Sequence, residues 1–243
     1  MSGLPVIVVR PEAGNAASVA AARAAGLDAL GIPLFAVEPV GWDAPGPDGF
    51  DGILAGSANV FRHGGKGLAA LRGLPVHVVG EATAVAAREA GFTVESTGFG
   101  GLQKVLDAVP ARSLLRLAGK ERLALTPPPG MVVTTRTVYA SRPLPMPPVL
   151  ARRLAQPALV LLHSGEAARH FAAECDRLGL DRGRIALACL APRIAELAGQ
   201  GWADIGVAEA RTDSALLALA GQMCQKVRFG GNGPQGQACR TTS

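Results

Sequence analysis

Cysteine, aromatic residues and long apolar runs are all scarce in this chain of 243 residues. The four cysteines stand far apart, with no Cys-x-x-Cys pair and no His/Cys cluster, so the sequence indicates neither a metal site nor a disulfide framework. No apolar stretch approaches the roughly 20 residues of a membrane span, and the N-terminus lacks the basic segment of a signal peptide. We therefore expect a cytoplasmic protein with reduced thiols and no membrane partner.

Runs of basic residues are also missing, although the formal net charge is +5 and the pI is about 9.4. Lysine and arginine occur singly or in pairs, and only 4% of the residues are aromatic. Nucleic-acid binding usually requires a basic stripe or aromatic stacking platforms, so we expect no nucleic-acid partner. The basic balance still favours anionic ligands, bound at separate places.

The common nucleotide and nucleophile motifs are absent too. The turns GSANVFRHGG and GEATAV match neither G-x-G-x-x-G nor the phosphate-binding loop that ends in Gly-Lys-Ser/Thr. The sequence contains no G-x-S-x-G elbow and no H-E-x-x-H, and its carboxylates form no obvious pair. These absences disfavour nucleotide binding, serine-hydrolase chemistry and zinc-peptidase chemistry.

Short apolar segments alternate with alanine-rich helical segments along the chain. The apolar segments have the length of buried parallel strands and are PVIVV (5–9), GILAG (52–56), VHVVG (76–80), LLRLA (114–118), ALVLLH (158–163) and IALAC (185–189). Helix formers that end in glycine lie between them, at NAASVAAARAAG (15–26), ATAVAAREAG (82–91) and PRIAELAGQG (192–201). This alternation predicts an α/β fold with parallel sheets.

The sequence around Ser57 returns around Ser164, at an offset of 107 residues (164 − 57). The same offset aligns the arginines and the histidines that follow each serine five and six residues later. Both copies then continue through a strand, a turn, a helix and a glycine-aromatic pair, and end in a short strand and a closing helix. This register indicates a duplicated structural unit.

Two proline-rich pieces, at residues 38–49 and 141–150, are separated by about one unit's length of chain. We interpret them as a double linker, through which the chain leaves one lobe, builds a second and returns. The predicted fold is α/β, with two similar lobes that each contain a parallel sheet flanked by helices and that face a cleft lined by strand-to-helix turns. The predicted division is residues 1–37 with 143–226 for lobe one, residues 40–139 for lobe two, and residues 227–243 for a Gly/Gln-rich disordered tail.

Three hydroxyl side chains follow apolar strands and precede helical segments: Ser57, Thr83 and Ser164. Such a side chain can cap its helix, and the free backbone N–H groups and the positive end of the helix dipole favour an anion there. Each residue could also serve only as a cap. Their matching positions around one predicted cleft favour the anion-binding interpretation.

Tyr139 is the only tyrosine in the chain and lies in TTRTVYASRP, at the predicted end of a β-branched strand just before the second linker. This position places its hydroxyl at the mouth of the predicted cleft, although a tyrosine in a strand is usually a packing residue. His63 and His170 occupy equivalent places in predicted helix interiors, which favours packing over catalysis. Tyr139 is therefore the stronger candidate for a chemical role.

The ordered series of motifs resembles the uroporphyrinogen-III synthase family of tetrapyrrole biosynthesis. The resemblance covers roughly residues 4 to 224 and is carried by VIVVRPEAG, GILAGSANV, VHVVGEATAVAAREAG, LLRLAGKER, TVYASRP and LVLLHSGEAARHF. It implies two flavodoxin-like lobes joined by a double linker, and a monomeric, cyclising hydro-lyase of porphyrin and heme biosynthesis that uses no cofactor.

The family closes the linear tetrapyrrole hydroxymethylbilane into a macrocycle and inverts its last pyrrole, ring D, with loss of water. The resemblance implies that the hydroxymethyl group of ring A leaves, that ring D attacks the resulting cation to form a spiro intermediate, and that this intermediate fragments and recloses. The uncatalysed path closes the ring without inversion. By the resemblance, Tyr139 is the proton donor, and the substrate-binding residues are Arg10, Ser57, Gly80, Thr83, Gly119, Lys120, Arg122 and Ser164.

The second copy departs from the family pattern where the expected Gly-x-x-Thr turn reads CLAP (189–192). By sequence, Cys189 and Pro192 stand where the first copy has Gly80 and Thr83, so one hydroxyl contact is lost. A non-catalytic, two-lobed protein that binds tetrapyrroles or small anions is the alternative function. Such a protein needs anion sites but no proton donor, so Tyr139 distinguishes the two interpretations.

Overall fold

The structure is a computed structural model that describes residues 4–12 and 14–229. The chain forms two compact units. Unit 1 contains the described residues up to Ala36 and from Pro143 onward, and unit 2 contains Val37–Arg142. The strands, numbered in chain order, are β1 (Val6–Val8), β2 (Ala29–Gly31), β3 (Phe35–Pro39), β4 (Gly52–Ala55), β5 (Val76–Val79), β6 (Val94–Gly98), β7 (Ser113–Gly119), β8 (Val132–Pro143), β9 (Ala158–Leu162), β10 (Ile185–Cys189) and β11 (Asp204–Val207).

The helices connect these strands and cover the sheets. They are α1 (Gly14–Ala24), α2 (Asn59–His63), α3 (Glu81–Glu89), α4 (Leu102–Ala108), α5 (Pro148–Leu154), α6 (Gly165–Arg177), α7 (Pro192–Ala198) and α8 (Asp213–Phe229). Each predicted strand and helix is present, with its ends shifted by a few residues at most. Short 3₁₀ segments occur at Gly65–Leu71 and Arg182–Arg184.

The sheet of unit 1 has the strand order β2-β1-β9-β10-β11, and its neighbouring strands are parallel. In unit 2 the parallel strands have the order β8-β7-β4-β5-β6, and β3 lies at the edge beside β8. The two strand orders are equivalent, because β7 and β8 occupy the positions in the sheet of unit 2 that β1 and β2 occupy in the sheet of unit 1. This doubly wound order is the flavodoxin-like one, so the predicted fold class is confirmed.

Both faces of each sheet are covered, as expected for parallel strands. In unit 1, successive side chains of β1 and β9 enter opposite apolar clusters, because a strand alternates its faces. Ile7 and Val160 pack with Phe171 on the face covered by α5, α6 and α7, whereas Val8 and Leu161 enter the cluster beneath α1 and α8. Unit 2 repeats this arrangement, with α2 and α3 on one face of its sheet and α4 on the other.

The second crossing between the units, at Arg142 and Pro143, falls within the proline-rich piece predicted at 141–150, and the first, at Ala36 and Val37, lies just before the piece predicted at 38–49. The chain passes from unit 1 to unit 2 within β3 and returns at the end of β8. Pro39 and Pro143 are the last residues of these strands, where a missing N–H disturbs a sheet least. The paired crossings are therefore hydrogen-bonded parts of one sheet, since β3 and β8 are neighbours.

Two other predicted boundaries change. The tail was predicted to begin at residue 227, but α8 continues to Phe229, and residues 230–243 lie outside the described part of the chain. His63 is the last residue of α2 and not an interior one, because the helix stops at Gly64 and the next residue, Gly65, has a φ of +63°. His170 does lie inside α6, as predicted.

Glu174 of α6 ties that helix to the segment after β8. Its carboxylate accepts a hydrogen bond from the backbone N–H of Met146 and a bidentate pair from Arg177, at 2.8 and 2.6 Å. The Arg177 guanidinium, together with the Met146 N–H, lowers the pKa of the Glu174 carboxyl to about 2 although burial opposes the shift. The ionised carboxylate therefore stabilises unit 1.

Replacing Glu174 by Gln is expected to lower the free energy of unfolding at neutral pH, because the charge-assisted hydrogen bonds weaken. The pKa of this carboxyl is lower in the folded chain than its usual value of 4.5. Its stabilising contribution is thus complete above pH 4.5 and disappears as the pH falls towards about 2. Urea unfolding at a series of pH values should show the difference from Glu174→Gln shrinking below pH 4.5. The exposed Glu196→Gln is the control, and a difference that is independent of pH would contradict the assignment.

Candidate functional site

The strand order of each unit marks one place where a ligand site is expected. In an open parallel sheet, neighbouring connections run to opposite faces where the strand order reverses, which leaves a crevice outside the carboxyl ends of two strands. The reversal lies between β1 and β9 in unit 1 and between β4 and β7 in unit 2. The residues that follow these four strands are therefore the first candidates for binding or catalysis.

The crevice of unit 2 contains a pocket of about 190 Å³. The walls come from the end of β4, the start of α4, the carboxyl half of β7, the loop after it and β8. The lining residues are Gly56, Ser57, Val60, Leu102, Arg116, Leu117, Ala118, Gly119, Glu121, Arg122, Leu123 and Tyr139. Four of the predicted site residues, Ser57, Gly119, Arg122 and Tyr139, thus line one pocket.

Tyr139 lies against the backbone of Gly119. A Cβ atom added at Gly119 would stand only 2.6 Å from the tyrosine ring, so glycine is required for this close approach. The Lys120 N–H donates to the Tyr139 carbonyl at 2.9 Å, and the ring of His63 has its centroid 6.4 Å from the tyrosine ring. Tyr139 is half-buried, and it is not at the strand end as predicted, because β8 continues to Pro143.

Ser57 does not cap α2. The helix has Ala58 at its N-cap position, and the Ser57 hydroxyl accepts instead from the N–H of Asn59 at 3.2 Å. The α2 helix has only five residues, so the serine ends up in the turn between β4 and the helix. Its hydroxyl remains at the pocket wall, where it can still donate to an anion.

Arg122 is fixed by three hydrogen bonds within unit 2. Its Nη1 donates to the carbonyls of Gly119 and Lys120, at 2.9 and 3.3 Å, and to the hydroxyl of Thr137 at 2.9 Å. One terminal nitrogen therefore holds the turn after β7, while the rest of the exposed guanidinium is available to a ligand. The side chain of Lys120 is also exposed, but this residue is not part of the pocket lining.

Gly80 and Thr83 belong to the turn after β5 and do not line the pocket. Gly80 is the N-cap residue of α3 and has a φ of +75°, a conformation that glycine adopts without strain. Thr83 is the third residue of α3 and is buried, so it is not the cap of this helix. The helix N-terminus itself offers backbone N–H groups beside Gly80.

Ser164 in unit 1 is the N-cap residue of α6, as predicted. Its hydroxyl accepts from the N–H of Ala167 at 3.1 Å, and the α6 helix has 13 residues. The preceding residue, His163, follows β9 directly and keeps only 8% of its side chain exposed. The copy around Ser164 therefore forms the long capped helix that the copy around Ser57 lacks.

A charged network that the sequence did not reveal lies beside Ser164. Asp213, the first residue of α8, accepts from Ser18 at 2.8 Å, from Arg10 at 3.5 Å and from the Nε2 of His163 at 2.8 Å. A carboxylate only accepts, so the Nε2 of His163 carries the proton in this bond. Burial, followed by the charge of Arg10, lowers the pKa of His163 against the opposing effect of Asp213.

Arg10 follows β1 and is oriented by this network. Its Nη1 also donates to Ser18 at 3.2 Å, and a Cβ at Gly14 would collide with the guanidinium at 2.7 Å. About a third of the Arg10 side chain is exposed. Asp213 and His163 were missed because their partners are distant in sequence; the only local signals were a polar turn before α8 and a His-Ser pair directly after a strand.

The CLAP turn differs from the interpretation made from the sequence. Cys189 is the last residue of β10, Ala191 is the N-cap residue of α7 and Pro192 is its first residue. Relative to the helix start, Ile194 and not Pro192 takes the place of Thr83. Burial raises the pKa of the thiols of Cys175 and Cys189 to about 12, which leaves both protonated.

Within residues 4–12 and 14–229, no three His, Cys, Asp or Glu side chains are grouped closely enough to hold a metal ion. None of the helices described there combines the length and the apolar character that a membrane crossing requires.

Replacing Asp213 by Asn is expected to reduce the free energy of unfolding by about 1–2 kcal/mol, because hydrogen bonds to a charged group are lost from a partly exposed site. Asp204→Asn, at an exposed position of β11 in the same unit, is the control. Urea unfolding at pH 7 measures both variants. Equal stability of the two would show that the Asp213 network does not stabilise unit 1.

A family model described as uroporphyrinogen-III synthase HemD matches residues 16–218 of the chain. No curated protein sequence matches the chain significantly. The crystal structure of uroporphyrinogen-III synthetase from Helicobacter pylori 26695 aligns with a TM-score of 0.61 and 16% identity, over 92% of this chain and 100% of that chain. Wild-type uroporphyrinogen III synthase from Thermus thermophilus aligns with a TM-score of 0.41 and 17% identity, over 93% and 99% of the two chains. The fold is shared with the Helicobacter pylori protein, and the family model covers most of the sequence, so the chain belongs to the uroporphyrinogen-III synthase HemD family.

Proposed function

We propose that the protein closes hydroxymethylbilane to uroporphyrinogen III, with inversion of ring D and loss of water, as a hydro-lyase of heme biosynthesis. The family model over residues 16–218 supports this activity. The observation that carries the proposal within the structure is the pocket of unit 2, where Tyr139 lies against Gly119 at the crevice of a parallel sheet. A proton donor is what the proposed reaction requires and what a simple anion-binding protein does not.

In the proposed reaction, Tyr139 donates a hydrogen bond to the hydroxyl group of ring A as the carbon–oxygen bond breaks. Proton transfer to the departing oxygen gives water and leaves a cation that is delocalised over the pyrrole. The substituted carbon of ring D attacks this cation to form the spiro intermediate. The bond from that carbon to the bridge from ring C then breaks, and the unsubstituted carbon of ring D closes on the same bridge, which inverts the ring. The proton that this carbon loses returns to the Tyr139 phenolate. Neither oxidation nor reduction occurs, so the reaction as proposed needs no redox cofactor.

The main catalytic requirement is orientation of a flexible polycarboxylate, because the uncatalysed closure gives the other isomer. Holding reacting groups in the productive geometry can supply a large part of a rate enhancement. The proposed contacts are the turns that follow the strands, which offer hydroxyl groups, backbone N–H groups and arginines to separate carboxylates. The residues proposed to bind substrate are Arg10, Ser57, Gly80, Thr83, Gly119, Lys120, Arg122 and Ser164.

We further propose that the protein acts as a monomer in the cytoplasm. Each sheet already has both faces covered by helices of the same chain, so neither sheet depends on a second copy. Cys175 and Cys189 are buried and form no disulfide, which is typical of proteins in a reducing compartment.

The product isomer tests the proposed activity. Purified protein is given freshly generated hydroxymethylbilane, the products are oxidised, and the type I and type III uroporphyrins are separated by chromatography. We expect predominantly type III, at a rate proportional to protein concentration. Type I alone, formed at the spontaneous rate by folded protein, would contradict the proposal.

Replacing Tyr139 by Phe is expected to lower kcat on the order of a hundredfold, the lower end of what a positioned proton donor contributes. Residual activity should remain, because orientation by the other contacts is unchanged. Gly119→Ala should have a comparable effect, since its Cβ displaces the tyrosine ring. Gly73→Ala, which meets open space in the same unit, is the control. An unchanged kcat for Tyr139→Phe would remove this residue from the mechanism.

A further inference from the structure

Arg116 is a buried arginine in the middle of β7. Its side chain is only 6% exposed. Leu115 and Leu117 enter the apolar cluster on one face of the sheet, so Arg116 points to the opposite face with Leu114. That face is otherwise covered by apolar side chains of α4, apart from the pocket that Arg116 lines.

The guanidinium of Arg116 makes few hydrogen bonds for a buried cation. Its Nη2 donates to the carbonyl of Leu123 at 2.8 Å, whereas its Nε is buried and has no partner. Among the residues that the structure describes, no carboxylate lies within ion-pair distance of it. A guanidinium carries five N–H donors, and an uncompensated buried charge is strongly unfavourable.

The electrostatic surroundings show the same deficit of negative charge. Burial lowers the pKa of Arg116, and the nearby charge of Arg122 lowers it further. Glu121 is the only acidic residue of the pocket lining, and its side chain is exposed. The guanidinium stays protonated at physiological pH in proteins, so the pocket contains a fixed positive charge that no carboxylate of residues 4–12 and 14–229 pairs with.

We propose that Arg116 binds one acetate or propionate carboxylate of the tetrapyrrole substrate in the pocket of unit 2. This inference rests on the proposed function, which supplies a substrate with such side chains. Arg116 and the Ser57 hydroxyl line the same pocket, and Arg122 supplies a second guanidinium at its wall.

The dimensions of the pocket fit one such side chain. Its volume is about 190 Å³, which is enough for one carboxylate with its methylene groups. The contact orients one end of the substrate and takes no part in bond breaking, so Arg116 is a positioning residue.

The first test separates substrate binding from a purely structural role. Arg116→Met is expected to raise KM for hydroxymethylbilane about tenfold, as for the loss of one charge-assisted hydrogen bond, with kcat within about twofold of wild type. Arg116→Lys, which keeps the charge, should recover part of the loss. Arg112→Met, at the exposed residue just before β7, is the matched control. A KM equal to that of the control would overturn the proposal.

Stability without ligand provides a second readout. If Arg116 is an anion site, Arg116→Met removes an uncompensated buried charge, so its Tm should equal or exceed that of the wild type. If Arg116 only holds the loop at Leu123, the same change should lower the Tm, and this result would contradict the proposal.

A third readout does not depend on turnover. The ¹H–¹⁵N signal of the Arg116 Nε, identified by its absence in Arg116→Lys, is followed during titration with uroporphyrin III, an octacarboxylate. We expect a saturable shift of this signal and none of the Arg112 signal; no shift would overturn the site. A shift of the Arg116 signal in a protein that makes no type III product would support the anion site and exclude the synthase reaction. Type III product together with an unchanged KM in Arg116→Met would support the synthase reaction and exclude the anion site.

Discussion

The connection between parallel strands is the constraint on which the rest of this structure depends. Parallel neighbours cannot be joined by a tight turn, so each connection crosses one face of the sheet, usually as a helix. Where the strand order reverses, successive helices lie on opposite faces, and the carboxyl ends of two strands remain uncovered. Both units contain this reversal, between β1 and β9 and between β4 and β7, and the candidate site residues follow these strands, except Gly80 and Thr83, which follow β5.

The arginines at the two crevices differ in their acidic partners. In unit 1, Arg10 is compensated by Asp213, which also fixes His163 and Ser18. In unit 2, Arg116 has no acidic partner among the described residues and is held by one carbonyl. A compensated arginine keeps its orientation at little electrostatic cost, whereas an uncompensated one gains the most from an anionic ligand. The duplication thus preserved the sheet plan while the charges at the two crevices diverged.

The sequence predicted those features that local patterns determine. The short apolar runs predicted the strands, and a hydroxyl side chain directly before a long helical segment indicated the cap at Ser164. Ser57 and Thr83 also follow strands but cap neither helix, because the N-cap residue lies one residue after Ser57 and three residues before Thr83. The sequence did not show that the linkers are paired strands, because the pairing of β3 with β8 joins segments about a hundred residues apart.

The charged groups at the crevices depend even more on distant parts of the chain. Asp213 meets Arg10 only because α8 packs beside α1 in unit 1. In the sequence, Arg116 is one residue of an apolar strand segment. That its Nε has no partner among the described residues is visible only in the folded pocket. The close approach of Tyr139 to Gly119 similarly follows from the pairing of β7 with β8.

The central claim is that the turns after these strands, in both units, bind the tetrapyrrole carboxylates. The most direct measurement is a map of backbone amide NMR shifts during titration with uroporphyrin III. We expect saturable shifts at the turns after β1 and β9 in unit 1 and at the turns after β4 and β7 in unit 2, including the amides of Ser164 and Lys120. Shifts confined to the amino ends of the strands would contradict the claim.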